Sequence, residues 1–362
     1  MGEQSGGRSS IFPMPVRAGN DYFYPMFILG IETSCDETSA SVIKDDLTVL
    51  SNIIHSQIEH SRFGGVVPEI ASREHSLKIE SVVSAALEKA GIRKEEIGLV
   101  AATNAPGLIG ALLVGLSFAK GLAYSLNIPF VAVNHMDAHV KANFLSYPKL
   151  KPPFVVLLVS GGHTLLLHCR ENKYELLGRT IDDAAGEALD KAGKMMGIAY
   201  PAGREIERIS KGGNPDAFPF PRALPEKANL NFSFSGLKTA LRNQLYKMSK
   251  EEIETRKADL LASYQEAVVD ALAKKSALAL KKTRCRSLLL SGGVACNGRL
   301  RERLKLLLGE KNQLYFPSLE YCTDNGAMIA AAGLMKYKQH GADPLNVGAS
   351  AVFNLTEVND GL

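Results

Sequence analysis

The 362-residue sequence predicts an α/β protein made of two copies of one unit, with a cleft between them. Three observations carry that expectation. Apolar runs of strand length alternate with runs of helical period. The order hairpin, third strand, helix, strand, helix occurs twice, once in 26–150 and once in 151–362. An apolar strand that ends in Ser-Gly-Gly also occurs twice, at 157–162 and 288–293.

The first unit reads as follows. FILGIETS (27–34) runs through the polar turn CDET into SASVIK (39–44), a β-hairpin, and LTVLSNIIHSQ (47–57) forms a third strand. HSLKIESVVSAALEKA (75–90) repeats apolar residues at helical spacing and stops at Gly91. IGLVAAT (97–103) is a buried strand, and GLIGALLVGLSFAKGLAYSL (107–126) is an apolar helix whose small residues allow close packing. IPFVAVN (128–134) is a strand and HMDAHVKANFL (135–145) the next helix.

The pattern then restarts. FVVLLVSGGHTLLLHCREN (154–172) is a hairpin turning at Ser160-Gly-Gly162, with YELLGRT (174–180) as third strand and DAAGEALDKAGKMMG (183–197) as helix. The Pro-rich stretch 200–232 predicts a long polar loop, and two helices follow it. RSLLLSGGVACN (286–297) is a strand entering the helix GRLRERLKLLLG (298–309), and 314–338 gives a strand, a loop and a last helix.

With 46% apolar and 22% charged residues, the composition is that of a globular chain. A net charge of +4 is compatible with a nucleic-acid partner without requiring one. Charged stretches such as KKTRCR (281–286) read as solvated faces first and phosphate contacts second. Cys35, Cys169, Cys285, Cys296 and Cys322 are odd in number and form no C-x-x-C pair. This argues against a disulfide framework or a thiolate zinc cluster and favours a reducing, cytoplasmic setting. The longest uncharged run, 97–119, is broken by the turn NAPG (104–107), so no membrane span is expected. Residues 1–25 lack a signal-peptide core and read as a disordered or expression-derived extension, with Met26 as the natural start.

Three features suggest chemistry. The two Ser-Gly-Gly turns either serve tight backbone geometry or bring N–H groups up to a phosphate, and their duplication favours a nucleotide. Neither is the P-loop, because G-x-x-x-x-G-K-[ST] is absent. IETSCDET (31–38) gathers Glu32, Asp36 and Glu37 at the first hairpin turn, either as a solvated tip or as a base or metal-holding group near that phosphate. Cys35 beside them reads as a small inert thiol. His135 and His139, one helical turn apart, share a face and can share a metal; CTDNG (322–326) offers Asp324 as a third ligand. A zinc-protease reading needs a base directly after the first His. That position is Met136, and Asp137 lies about 200° around the helix.

ILGIETSCDET, GGVVPEIASREH, NHMDAH, LLVSGGHT, IDDAAGEALDK, FSFSGLKT, SGGVACN and CTDNGAMIA follow one another in this order. Together they resemble the TsaD family, the bacterial tRNA threonylcarbamoyltransferases once labelled O-sialoglycoprotein endopeptidases, over residues 27–340. The resemblance implies an actin-like ATPase (ASKHA) fold with two lobes around a nucleotide cleft. It implies transfer of threonylcarbamoyl from threonylcarbamoyl-AMP to N6 of the adenosine 3′ of the anticodon, in tRNAs reading codons that begin with A. The implied metal ligands are His135, His139 and Asp324, holding one divalent ion, Fe2+ first and Zn2+ or Mg2+ as alternatives. Implied substrate contacts come from Leu158, Val159, Ser160, Gly161, Gly162, Asp190, Gly203 and Asn297, around an adenine nucleotide. Asp36 and Glu37 match the acidic pair of the family's first loop, as candidate catalytic groups. YPAGRE departs from the usual YPGG at Ala202 but keeps Gly203; Asn134 stands where the family has another His, which is not a ligand position. Implied partners are tRNA, a TsaB-like paralogous scaffold, a TsaE-like ATPase and a TsaC-like enzyme supplying the adenylate. The competing readings are an ATPase or kinase of the same fold, a non-catalytic scaffold and, least of all, a metalloprotease.

Overall fold

A computed structural model describes residues 25–57, 60, 63–171, 173–224, 229–355 and 359. The expectation for the N-terminal extension falls, except for residue 25, outside them. The first sheet comprises β1 (Phe27–Glu32), β2 (Glu37–Lys44), β3 (Val49–Ser56), β4 (Ile97–Ala105) and β5 (Phe130–Asn134), in the order β3-β2-β1-β4-β5. The second comprises β6 (Phe154–Val159), β7 (Thr164–Arg170), β8 (Lys173–Arg179), β9 (Ser287–Ser291) and β10 (Gln313–Tyr315), in the order β10-β9-β6-β7-β8. In each sheet the first three strands run antiparallel as a meander, and the last two add in parallel. The duplicated topology expected from the sequence is therefore present strand for strand.

The helices are α1 (Pro68–Ala90), α2 (Ile109–Leu126), α3 (His135–Ser146), α4 (Ala185–Met195), α5 (Gly203–Ser210), α6 (Ser235–Leu245), α7 (Lys250–Thr255), α8 (Lys257–Thr283), α9 (Gly298–Leu308) and α10 (Gly326–His340). Helix α1 starts a full two turns before the expected His75, and a proline opens it, where a missing N–H costs nothing. Gly91 ends it in the left-handed conformation, as expected. The stretch 200–232 is not one loop: α5 lies inside it, anchored by buried Ile206. Short α7 interrupts the expected pair of helices between 235 and 283. The glycines after β9 open one 3₁₀ turn, Gly293–Cys296, before α9 begins.

Helix α2 is long and apolar enough to cross a membrane by length and composition. Its Ala111, Leu112, Gly115, Leu116, Ala119 and Ala123 are buried, and several of them join the core formed with α1 and the first sheet.

Helices α3 and α10 follow equivalent strands, β5 and β10, and meet between the sheets. Met136 and Val140 of α3 pack on Val156, Leu158 and Leu289 of the second sheet. Met328, Ile329 and Ala330 of α10 pack on Ile28, Leu99 and Val131 of the first. The first turn of α10 crosses β1 at a glycine contact. A Cβ on Gly30 would lie 2.2 Å from the Gly326 carbonyl oxygen, and one on Gly326 would lie 2.6 Å from the Ser41 nitrogen. Only glycine permits this approach, and it sets where Asp324, two residues earlier, emerges.

Candidate active site

His135 is the first residue of α3, and His139 follows one turn later. Asn134 caps that helix, its side-chain oxygen accepting from the backbone N–H groups of Met136 and Asp137. Asp324 stands immediately before Asn325, which caps α10 in the same way. Two pseudo-equivalent helix starts thus face each other. His135 Nε2 is 3.5 Å and His139 Nε2 is 3.1 Å from the same oxygen, Asp324 Oδ1.

The His139 contact lacks hydrogen-bond geometry, and among the described residues both ring nitrogens of this buried imidazole have no hydrogen-bond partner. One nitrogen from each His and one Asp324 oxygen lie within 4.8 Å of one another. Ligand atoms around a tetrahedral ion at 2.0–2.2 Å stand about 3.3–3.6 Å apart. The cluster therefore has the donors, spacing and orphaned nitrogens that suit a divalent cation.

Glu32, the last residue of β1, is wholly buried behind His135. Its Oε2 accepts from Thr103 Oγ1 at 2.7 Å and from His135 Nδ1 at 2.9 Å, and its Oε1 accepts from the Ser34 backbone N–H. A carboxylate there fixes the proton on Nδ1 and leaves the Nε2 lone pair for a metal. Burial pushes the Glu32 carboxyl up, but His135 and the Thr103 hydroxyl outweigh it and hold the group below its ordinary range. Burial alone would lower His135; the Asp324 and Glu32 carboxylates hold it well above the usual imidazole value. Burial and then the neighbouring His135 lower His139. Asp324, although burial opposes its charge, is held far below the carboxylate range by the two imidazoles.

Asp36 and Glu37 sit at the turn from β1 into β2. Burial, then the Asp324 and Asp36 carboxylates, raise Glu37 well above its normal range, so it tends to keep its proton. Cys35 is pushed far up by burial and by Asp36, which makes it an inert thiol, as the sequence suggested. Asp137 points to the other lobe: Tyr174 Oη donates to it at 2.9 Å. No protease base therefore stands beside the histidines from that position.

The first Ser-Gly-Gly turn closes β6 onto β7. Positions 161 and 162 have open space where a Cβ would be, and the first turn of α4 presses against the turn: a Cβ on Gly186 would be 2.5 Å from the Ser160 oxygen. His163 completes the turn, its N–H donating to Ser160 Oγ at 3.1 Å. It is held down to about 4, first by burial and then by His135 and His139, so this turn lies within electrostatic reach of the two imidazoles. Leu158 and Val159 are core residues of β6, so any contact they make to a ligand comes through the backbone.

In the second turn Gly292 takes φ +88, and a Cβ there would meet the Val159 carbonyl oxygen at 2.4 Å. Asn297 is spoken for at both ends. Its oxygen caps α9 at Leu300 N–H, 2.9 Å, and its amide donates to Gln265 at 2.9 Å. Asp190 of α4 accepts from the Ala202 N–H at 2.8 Å, one residue before Gly203 opens α5. Burial raises Asp190, and Asp36 adds to it across the cleft. Tyr200 is raised by burial, then by Asp36 and Asp190. Asp36 is therefore within electrostatic reach of Asp190 and Tyr200.

Thr103, His163 and Tyr200 belong to this site although sequence reasoning assigned them no role, and Glu32, expected at the loop as a base or metal-holding group, instead lies buried behind His135. Glu32 carried a signal: an acid closing an otherwise apolar strand needs a buried partner. His163 directly follows the Ser-Gly-Gly turn and could have been read with it.

The model of the family TsaD, tRNA N6-adenosine threonylcarbamoyltransferase, matches residues 48–331. The tRNA N6-adenosine threonylcarbamoyltransferase of Fervidobacterium nodosum is 49% identical over 326 residues, 89% of this chain and 96% of its own. That of Thermosipho melanesiensis is 49% identical over 332 residues, 91% of this chain and all of its own. Among solved structures, HypF of T. kodakarensis aligns with TM-score 0.58 at 15% identity, over 88% of this chain and 48% of that one. Component A of the Acidaminococcus fermentans (R)-2-hydroxyglutaryl-CoA dehydratase aligns with TM-score 0.54 at 16% identity, over 87% and 98%. These two show the fold alone, the actin-like ATPase fold of two duplicated lobes. The chain belongs to the TsaD family of tRNA N6-adenosine threonylcarbamoyltransferases, transferases that modify tRNA.

Proposed function

We propose that this chain transfers threonylcarbamoyl from threonylcarbamoyl-AMP to N6 of the adenosine 3′ of the anticodon, in tRNAs reading codons that begin with A. The observation that carries the reading is the convergence of His135, His139 and Asp324 beside the Ser160-Gly-Gly162 turn and across from Asp36. A divalent ion held by those three, Fe2+ first and Zn2+ or Mg2+ otherwise, would act as a Lewis acid toward the carbamoyl carbonyl.

The chain's own groups supply the rest. The backbone N–H groups of Gly161 and Gly162 hold the adenylate phosphate; the Ser160 N–H is already given to the His163 carbonyl, and those of Ala185 and Gly186 to Thr164 Oγ1 and the Ser160 carbonyl. Asp190, Gly203 and Asn297 line the nucleoside side, with Asn297 acting through the loop it caps. The exocyclic amine of adenine is a weak nucleophile, so positioning dominates. Asp36 and Glu37 are the candidate bases for the attacking amine, and the burial that raises Glu37 favours Asp36 for the role.

The partners belong to the same proposal. Leu77, Ile109, Leu113 and Tyr124 are exposed apolar residues on neighbouring helices α1 and α2, a surface suited to a TsaB-like scaffold. A TsaC-like enzyme would supply the adenylate and a TsaE-like ATPase would assist turnover. None of the five cysteines is in a disulfide, in keeping with a cytoplasmic protein.

A second reading, ATP hydrolysis, is favoured by the fold: the Clostridium difficile 2-hydroxyisocaproyl-CoA dehydratase activator, TM-score 0.52, is described with bound ADPNP. The test is incubation with partners, unmodified tRNA and labelled threonylcarbamoyl-AMP, beside ATP alone. Label in tRNA supports transfer. Phosphate release from ATP without tRNA labelling supports the ATPase.

A further inference from the structure

The face that α1 turns to the core is apolar: Ala71, Ile79, Val82, Val83 and Ala86 are buried at helical spacing. His75 sits in the middle of that stripe with no exposure at all. A buried imidazole costs desolvation that an alanine or leucine there would avoid. Its hydrogen bonds show what it is used for. Nε2 lies 3.0 Å from the Cys35 carbonyl oxygen and Nδ1 2.8 Å from Thr38 Oγ1. A carbonyl only accepts, so Nε2 carries the proton, and Nδ1 accepts from the Thr38 hydroxyl. Burial lowers His75, which keeps it in this neutral tautomer.

The bond to Cys35 is one of three. The Ser34 carbonyl accepts from the Leu108 N–H at 2.8 Å, and the Asp36 carbonyl accepts from the Gln57 N–H at 3.0 Å. Three consecutive carbonyls of the acidic loop are thus tied to the α2 start, to α1 and to the end of β3. His75 is the side chain among these three donors. Gln57 is held in turn, donating to the Ala71 carbonyl and accepting from His60 Nε2 at 2.8 Å.

We infer that His75 is a positioning residue for the proposed transfer, holding the backbone at Cys35 so that Asp36 and Glu37 are presented to the cleft. The inference rests on the transferase reading for its kinetic consequence, although the clamp itself can be measured without activity. Gln reaches the position of Nε2 and can donate to Cys35; Leu fills the volume and cannot. With partners and tRNA present, His75→Leu should lower kcat about 10–100-fold, as for a reacting group misplaced by an ångström. KM for threonylcarbamoyl-AMP should stay within about threefold, and His75→Gln should recover most of the rate. Thr38→Val, which frees Nδ1, should fall between them.

Amide hydrogen exchange of the 33–38 segment gives the second readout. Exchange should speed at least about tenfold in His75→Leu and not in His75→Gln, with melting temperatures confirming that both are folded. Unchanged exchange in His75→Leu overturns the clamp. Exchange that rises while kcat holds, or a rate loss that Gln does not recover, reduces His75 to a core residue. A parent that labels no tRNA sinks the transferase reading, and the exchange comparison still decides the clamp.

Discussion

Glu32→Gln probes the proposed metal site from behind. The Glu32 carboxylate accepts three hydrogen bonds: Ser34 N–H on one oxygen, Thr103 hydroxyl and His135 Nδ1–H on the other. A glutamine can keep its oxygen toward Ser34, which sets its NH2 against His135 Nδ1–H. Flipped, it sets the NH2 against the Ser34 N–H. In either pose one buried donor meets another donor, a cost of about 1–3 kcal/mol. The imidazole can escape by moving its proton to Nε2, but that removes the lone pair a metal needs. Metal affinity should therefore fall about 10–100-fold, or about 1.4–2.7 kcal/mol. Competition against a chromophoric chelator, with Fe2+ under anaerobic conditions and with Zn2+, measures it. Affinity unchanged within about twofold, in a folded variant, would refute the link from Glu32 through His135 to the metal.

Asp36→Asn should cut the single-turnover transfer rate about 100-fold or more while leaving adenylate affinity near that of the parent; an unchanged rate removes Asp36 as the base. Gly30→Ala places a methyl 2.2 Å from the Gly326 carbonyl oxygen, so it should cost about 1–3 kcal/mol and weaken metal binding by shifting α10, read by urea titration and metal content. His163, neutral down to about 4 in the fold, charges nearer 6.5 when unfolded. Its contribution is thus complete above about pH 6.5 and lost as pH falls toward 4, up to about 3 kcal/mol in all. His163→Asn should flatten the fall in stability between those pH values, and parallel curves for parent and variant would contradict this.

The duplicated fold was legible because it is written in periodicity and in turn chemistry. Antiparallel meanders and glycine stops leave local signatures, and Gly91 ends α1 as its sequence says it should. Less legible were features set by competing signals. Prolines around α5 masked one amphipathic helix, and α1 begins before its apolar stripe is established, at Pro68. At the site, the spacing of His135 and His139 announced a shared face. Asp324 came into consideration through the CTDNG motif, since 185 residues of chain separate it from His139 in a sequence that carries no distances. His75 was invisible as a functional residue, and the buried place of Glu32 behind His135 was not foreseen, for one physical reason. Their importance lies in which buried atom each one bonds, Nδ1 of His135 or the oxygen of Cys35, and those pairings are made by sheet and helix packing. The glycine contact between Gly30 and Gly326 is of the same kind.

The most direct measurement is single-turnover transfer of labelled threonylcarbamoyl from threonylcarbamoyl-AMP to unmodified tRNA, with partners present, by the parent and by a His135→Ala/His139→Ala variant of intact fold. Labelled tRNA from the parent and none from the variant is the expected result. Equal labelling by both would contradict the placement of this chemistry at the two histidines.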